Sequence, residues 1–205
     1  MKVSIVLLII ILLPSVILHE LGHGMVARWL GDDTAQRAGR LTLNPMPHID
    51  PIGTILIPLI LVLSQSPIIF GAAKPVPILP SNFDDPKKDM ALVGLAGPAV
   101  NFLIAGCAAF LYQIIAVPLD IPELLAVFHS FVVINLFLGL FNLLPIPPLD
   151  GSRLLVGILP DVYAIYMVRL ERYGLFILVL LLLAGIGSFV SGLVRLILQL
   201  LGMGS

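Results

Sequence analysis

Charged side chains are scarce in this chain of 205 residues: they make up 11% of it, against about 25% in typical soluble domains. Hydrophobic residues account for 59%, and the mean hydropathy is +1.11. This composition excludes a soluble globular domain and predicts an integral membrane protein. The net charge of −1 gives no basic surface for nucleic acid, so no nucleic-acid partner is expected. The single cysteine, Cys107, excludes an intramolecular disulfide.

Long uncharged runs divide the chain into candidate membrane spans. A helix needs about 20 mainly apolar residues to cross a hydrocarbon core roughly 30 Å thick. Residues 52–70 are apolar as well, but Pro58 interrupts them. We therefore predict an all-α polytopic membrane protein with about four full transmembrane helices and one re-entrant or additional apolar segment. The four full spans are expected within residues 3–30, 90–118, 122–144 and 174–201.

Two histidines four residues apart stand near the end of the first span, in the pentad His19-Glu20-Leu21-Gly22-His23. Positions four apart share one helical face, so both imidazoles can reach one metal ion. Glu20 lies on the neighbouring face, where its carboxylate can reach a water at the metal without being a ligand. A charged side chain facing lipid would cost roughly 2.5 to 3.5 kcal/mol, which favours a function in a polar interior. Upstream, Pro14 indicates either a kink that frees carbonyls near the metal or an ordinary transmembrane proline.

Catalytic zinc usually takes three protein ligands, so a third residue is expected to join the two histidines. Asp150 follows three prolines within residues 145–148, which place it on irregular chain at the right membrane depth. The alternative for Asp150 is a turn carboxylate at the start of a helix. His48 and Asp50 lie in a proline-flanked surface loop and are expected to form a turn with a capping aspartate. His129 stands alone on an apolar helix, where a hydrogen bond to another helix is expected.

The segments between the spans are polar and rich in turn formers. Leu41-Thr42-Leu43 alternates as a strand does, so we predict a short membrane-associated β element able to bind an unwound peptide; a surface loop with one β-bridge is the alternative. Residues 74–80 hold three prolines and are expected to be extended, and residues 153–172 are expected to form an interfacial helix.

A single membrane-embedded domain, 1–205, is expected. Its parts are a helix with the pentad (1–30), a cytoplasmic-side loop with the re-entrant segment and strands (31–89), two helices ending in the Asp-Gly motif (90–151), and an interfacial helix with the last span (152–205).

Lysine and arginine favour the cytoplasmic side of membrane proteins. If residues 52–70 span fully, the cations outside the last span divide seven against three. If that segment enters and returns, nine lie on one face and Lys2 alone lies on the other. The second division fits the rule better, so residues 31–89 are expected to begin and end on the cytoplasmic side, with the metal site near that face. The nine cations are Arg28, Arg37, Arg40, Lys74, Lys87, Lys88, Arg153, Arg169 and Arg172.

Three ordered motifs give the chain a resemblance to the site-2 protease family, the intramembrane zinc metalloproteases of peptidase family M50, in its compact prokaryotic type without a PDZ domain. The stretch 39–53 is similar as well, and the extra apolar segment 52–70 is a departure. The motifs are the pentad, Gly97-Pro98-Ala99-Val100-Asn101, and Asn142-Leu143-Leu144-Pro145 leading to Leu149-Asp150-Gly151.

The resemblance implies that His19, His23 and Asp150 bind one Zn²⁺ per chain and that Glu20 is the catalytic base. It also implies that Asn142 orients the substrate or stabilises the oxyanion, with Asn101 a weaker candidate on the substrate side.

The expected function is cleavage of single-span membrane proteins, or their remnants, within the lipid bilayer of a prokaryotic cell membrane. A zinc transporter or metal sensor is an alternative class, because buried histidine and aspartate suit it too. A catalytically inactive scaffold of the same fold is another. Candidate ligands that cluster at one depth argue against transport, and the intact Glu20 argues against a scaffold.

Overall fold

The computed structural model describes residues 5–56, 60, 63 and 73–204. The regular structure of these residues is helical, with 3-10 turns at Met46–His48 and Pro80–Asn82 and a short π-helical stretch at Pro51–Leu56. A second π-helical stretch, Tyr112–Ala116, lies within one of the long helices. The helices are α1 (Ile5–Trp29), α2 (Thr34–Arg37), α3 (Pro86–Leu119), α4 (Pro122–Asn142), α5 (Asp150–Ile158), α6 (Asp161–Glu171), α7 (Gly174–Leu183) and α8 (Ile186–Leu200).

Three helices, α1, α3 and α4, are long and apolar enough to cross a membrane. This matches three of the four predicted spans. The fourth predicted span, residues 174–201, is not one continuous helix: the chain there forms α7 and α8, which together are long and apolar enough to cross a membrane but meet at a bend of 69°. Gly185 at the bend has a φ of 91°, in the left-handed region that favours glycine.

The bent pair α7 and α8 runs from one end of the helix bundle to the other. At its start, Gly174 packs against Pro148, just beyond the end of α4. At its end, the Leu201 carbonyl accepts a hydrogen bond from Gln113, near the opposite end of α3, at 3.0 Å. Because α3 and α4 are antiparallel neighbours, these contacts lie at opposite ends of the bundle. We therefore interpret the pair as a broken fourth span.

The predicted β element at Leu41-Thr42-Leu43 is wrong: no strand occurs among the described residues, and this stretch is a series of bends. Side chains take the backbone groups that a strand would have paired. The His48 ring bonds to the Thr42 carbonyl at 2.9 Å, and the Asn44 N–H donates to the Thr42 hydroxyl at 3.1 Å. Local bonds of this kind compete with a strand ladder.

Most of the segment 52–70 lies outside the described residues, so whether it spans or re-enters stays a prediction. Residues 74–79 are non-helical, as their prolines predict, and they lie against the loop after α1. The Lys74 N–H donates to the His48 carbonyl at 2.9 Å, and the Leu79 N–H donates to Asp32 at 2.8 Å. The two loops therefore meet at the same end of the bundle.

Residues 153–172, predicted to form a single interfacial helix, belong to two helices, α5 and α6. The three prolines unwind the chain after α4, as expected. However, Asp150 is the first residue of α5 instead of lying on irregular chain, and Leu149 is the N-cap. The alternative considered for Asp150, a carboxylate at a helix start, therefore describes its local structure.

Glycine contacts let these helices approach closely, as is common where lipid removes the hydrophobic drive for helix association. A Cβ on Gly22 of α1 would lie 3.0 Å from the Ala96 carbonyl oxygen of α3. A Cβ on Gly94 of α3 would lie 3.0 Å from the Asp150 carbonyl oxygen of α5. Because α3 is in close contact with both α1 and α5, it brings Asp150 to the histidines.

Candidate metal centre

Three buried side chains, His19, His23 and Asp150, converge between α1 and α5. The Asp150 Oδ2 atom lies 3.1 Å from His19 Nε2 and 3.3 Å from His23 Nε2, and the two Nε2 atoms are 3.1 Å apart. Ligand atoms around a tetrahedral zinc at normal bond lengths are separated by about 3.3 to 3.5 Å. The triangle therefore fits three ligands of one such ion. Among the described residues this is the one group of three or more candidate ligands.

The two imidazoles are oriented by the groups that contact their other nitrogens. His23 Nδ1 lies 2.6 Å from the Val93 carbonyl oxygen, and His19 Nδ1 lies 2.6 Å from Asn101 Oδ1. Both partners are acceptors, so each Nδ1 carries the hydrogen and each Nε2 presents a lone pair to the centre. Three acceptor atoms thus face one another, an arrangement that a cation between them would balance. This donor set suits zinc.

The Asn101 side chain belongs to a buried polar network that joins α1, α3 and α4. Its amide nitrogen donates to Asn135 Oδ1 at 2.8 Å, and the Asn135 amide donates to the Ser15 hydroxyl at 2.9 Å. Ser15 in turn donates to the Ile11 carbonyl at 2.8 Å. Because Asn101 uses its oxygen for His19 and its nitrogen for Asn135, its orientation is fixed in both directions. The network thereby holds the His19 ring in place.

Gly97, on α3, lies directly against the two histidine rings of the centre. A Cβ built there would lie 2.6 Å from both Nε2 and Cε1 of His19, and closer still to His23 Nε2. No larger residue fits beside the unshifted rings. The glycine of the second motif is therefore explained by the space that the metal centre needs.

The second carboxylate oxygen of Asp150 turns away from the histidines. Arg153, three residues further along α5, places Nη1 at 3.6 Å from Asp150 Oδ1. One oxygen is thus left for a metal, while the other faces a guanidinium. Glu20, by contrast, is half-buried and accepts a hydrogen bond at Oε2 from the Val76 N–H at 2.9 Å.

The remaining candidate ligands lie elsewhere among the described residues. His48 is buried against the Thr42 carbonyl, and Asp50 caps the Gly53 N–H at 2.7 Å, the turn role expected for it. His129 lines a separate cavity of about 380 Å³ between α4 and α8. Asn142 donates to the Leu138 carbonyl of its own helix at 3.0 Å, so its catalytic role stays a prediction.

The sequence reading missed the polar network behind His19. Asn101 was expected on the substrate side, whereas it contacts a candidate ligand, and Asn135 was not singled out. The two asparagines are themselves a signal in the sequence, because an asparagine is costly within an apolar span and therefore tends to have a specific hydrogen-bond partner there. The contact between Val76 and Glu20 had no sequence signal, since it uses a backbone N–H from a distant segment.

The fold and the site define a helical membrane protein with a buried candidate metal centre and a carboxylate, that of Glu20, outside the ligand set. Comparison with known proteins agrees. The pattern described as Peptidase family M50 matches residues 113–185. A protein of Bacillus subtilis named "Putative zinc metalloprotease YwhC" is 40% identical over 191 residues, which cover 89% of this chain and 83% of that protein.

Two further relatives are more distant. "Zinc metalloprotease MJ0392" of Methanocaldococcus jannaschii is 30% identical over 76% of this chain, which spans about a third (35%) of that protein's length. "Putative zinc metalloprotease Rip2" of Mycolicibacterium smegmatis is 30% identical over 83% of this chain and 64% of its own length. No solved structure matches the chain. The chain belongs to peptidase family M50, the site-2 protease family of zinc metalloproteases.

Proposed function

We propose that this protein is an intramembrane zinc metalloprotease that hydrolyses peptide bonds in or next to the transmembrane segments of membrane-anchored substrates. The observation that carries the proposal is the buried triad of His19, His23 and Asp150 next to Glu20, on helices apolar enough to lie in a membrane. A soluble substrate would have to leave water to reach a site buried among such helices. Single-span membrane proteins, or the remnants left after a first cleavage, are the expected substrates.

In the proposed reaction, His19, His23 and Asp150 hold the zinc ion. When bound there, zinc polarises the scissile carbonyl and makes water easier to deprotonate. Glu20 takes the proton of the attacking water on Oε1, since Oε2 already accepts the Val76 N–H. It then delivers that proton to the leaving amine. Asn142, at the end of α4, is proposed to donate its amide to the oxyanion, after turning away from the Leu138 carbonyl.

The substrate helix must unwind before cleavage, because a helical carbonyl is hydrogen-bonded and shielded by its neighbours. Substrates with helix-weakening residues near the scissile bond should therefore be preferred. We place the active site near the cytoplasmic face of a prokaryotic cell membrane. This placement is supported by the positive-inside rule, since the re-entrant arrangement of residues 52–70 puts nine lysines and arginines on that side of the membrane and Lys2 alone on the other.

The two alternatives differ in what they demand of the site. A zinc transporter or sensor needs ligands along a path or a centre that releases its ion. The described residues offer a single cluster, and its rings are held by the Val93 carbonyl and Asn101. An inactive scaffold would have no chemical use for Glu20. Both observations favour the protease.

The decisive test compares wild type with Glu20→Gln, purified and reconstituted in lipid nanodiscs with a panel of single-span substrates. Wild type should cleave at least one of them. The variant should lose at least about 10²-fold in rate while retaining one zinc per chain, because its amide cannot accept the proton. Full cleavage by a zinc-loaded Glu20→Gln protein would refute the assignment of the base. Zinc uptake into proteoliposomes without cleavage would favour the transporter, and zinc binding without either activity would favour the scaffold.

A further inference from the structure

The carboxylate of Glu20 is held by a segment far away in the sequence. Its Oε2 atom accepts a hydrogen bond from the Val76 N–H at 2.9 Å. The Val76 side chain is buried, and its Cγ1 would lie 3.1 Å from a Cβ added to Gly24, one helical turn beyond Glu20. Val76 therefore packs on α1 through its side chain and reaches the carboxylate through its backbone.

The segment that carries Val76 is fixed by a buried arginine. Arg40 is only 6% exposed, and its Nη2 donates to the Pro75 carbonyl at 2.9 Å and to the Lys74 carbonyl at 3.3 Å. No carboxylate pairs with Arg40 among the described residues. A buried guanidinium is costly unless it finds acceptors, and here Nη2 finds them on the two residues before Val76.

Prolines set the direction of the Val76 N–H. Pro75 and Pro77 flank Val76 and have no N–H of their own, and a residue before proline is confined to extended conformations. Further along, the Leu79 N–H donates to Asp32 at 2.8 Å and ties the segment to the end of α1. Val76 is thus held from both sides, with its N–H directed at Glu20.

We propose that Val76 and Arg40 are positioning residues for the catalytic base: the Val76 N–H holds Glu20 Oε2, and Arg40 holds the segment from which that N–H is donated. The inference rests on the proposed role of Glu20. A glutamate side chain has three rotatable bonds, so one held oxygen restricts the carboxylate to a small set of positions. Oε1 then remains free to accept the proton. Misplacing a catalytic group by about 1 Å can cost on the order of 10²-fold in rate.

A pair of proline substitutions tests the hydrogen bond directly. Val76→Pro removes the N–H that Glu20 accepts, at a non-helical site between two prolines where no helical hydrogen bond is broken. Ile78→Pro is the matched control, because the Ile78 N–H has no acceptor among the described residues. Val76→Pro should lower kcat at least about tenfold, with KM and zinc content close to wild type. Ile78→Pro should keep kcat within about twofold of wild type. Equal kcat values for Val76→Pro and wild type would overturn the proposal.

Amide hydrogen exchange tests the contact without relying on activity, and it decides the matter if Val76→Pro fails to fold. In the zinc-loaded protein, Glu20→Ala should speed exchange of the Val76 amide at least about tenfold, because its acceptor is gone. The Leu79 amide, which is bonded to Asp32, should exchange as in wild type. Unchanged exchange at Val76 would show that the hydrogen bond does not form.

Arg40→Met tests the second half of the proposal. It removes the guanidinium and keeps an unbranched stem, so it should reproduce both the lower kcat and the faster Val76 exchange. Wild-type exchange at Val76 in this variant would overturn the role of Arg40. These outcomes can be separated from the proposed function. If Glu20→Gln abolishes cleavage but Val76→Pro keeps the wild-type kcat, then Glu20 is still supported as the base and only its positioning by Val76 is refuted.

Discussion

Replacing Gly97 by alanine should destroy the metal centre while leaving the helical fold intact. The added Cβ would lie 2.6 Å from His19 Nε2, where ordinary van der Waals contact begins at 3.4 Å. About 0.8 Å of movement is therefore needed at His19 alone, and more is needed at His23. Both rings are held from behind, by Asn101 and by the Val93 carbonyl, so they cannot simply retreat.

The size of the effect follows from the narrow tolerance of metal coordination. Ligand distances in a working metal site stay within about 0.2 Å of their normal values. A shift of about 0.8 Å is roughly four times that tolerance. We expect zinc affinity to fall at least about 100-fold, which corresponds to about 2.7 kcal/mol of binding free energy. Proteolytic activity should fall with zinc occupancy.

Competition with a chelator of known affinity measures the change, and circular dichroism checks that the helices persist. Gly106→Ala is the matched control, since Gly106 lies on the same helix and a Cβ there would meet nothing within 4 Å. That variant should bind zinc with an affinity within about twofold of wild type, because the substitution changes only local helix propensity. Gly97→Ala protein with wild-type zinc affinity would refute the geometry of the centre.

Two further predictions concern Asn101, behind the metal centre, and Asp32, just beyond the end of α1. Asn101→Leu removes the acceptor for His19 Nδ1, so zinc affinity should fall about 10- to 100-fold in the same chelator assay; wild-type affinity would rule out a role for Asn101 in orienting the ring. Burial raises the pKa of Asp32, but hydrogen bonds from Thr34, Leu79 and Asn82 outweigh it and hold that pKa below its ordinary value. The contribution of ionised Asp32 to the free energy of unfolding is therefore complete above about pH 4. It is lost as the pH falls through the lower pKa that Asp32 has in the folded protein. The difference in melting temperature between wild type and Asp32→Asn should shrink over that range, and a constant difference down to about pH 2 would contradict this account.

The metal centre was predictable because its chemistry follows from local spacing. His19 and His23 share a helical face at any membrane depth, and the prolines before Asp150 mark a break where a carboxylate can leave the lipid. The three side chains do meet, within 3.3 Å of one another. The spans α1, α3 and α4 were predictable for an equally simple reason, since apolar length alone identifies them.

The failures share a different cause, because each depends on a local hydrogen bond or a single backbone angle that apolar pattern does not encode. Leu41 to Leu43 alternates like a strand, but the His48 ring bonds to the Thr42 carbonyl and the Thr42 hydroxyl accepts the Asn44 N–H instead. The bend between α7 and α8 needs Gly185 in a left-handed conformation, and glycine is also common in straight transmembrane helices. Such local details decide these cases, so composition and periodicity could not.

The arrangement of acceptors at the centre bears on whether the ion stays or passes through. His19 and His23 each use Nδ1 as a donor to a fixed acceptor, so neither ring can rotate to release its Nε2 without breaking a buried hydrogen bond. Such a bond costs about 1 to 3 kcal/mol to leave unmade. Asp150 is constrained in the same way, because Arg153 faces its other oxygen. A transported ion needs ligands that release it in sequence, whereas these three are each held by a separate partner. The arrangement therefore favours an ion that stays bound, as the proposed hydrolysis requires, with Glu20 outside the ligand set as the proposed base.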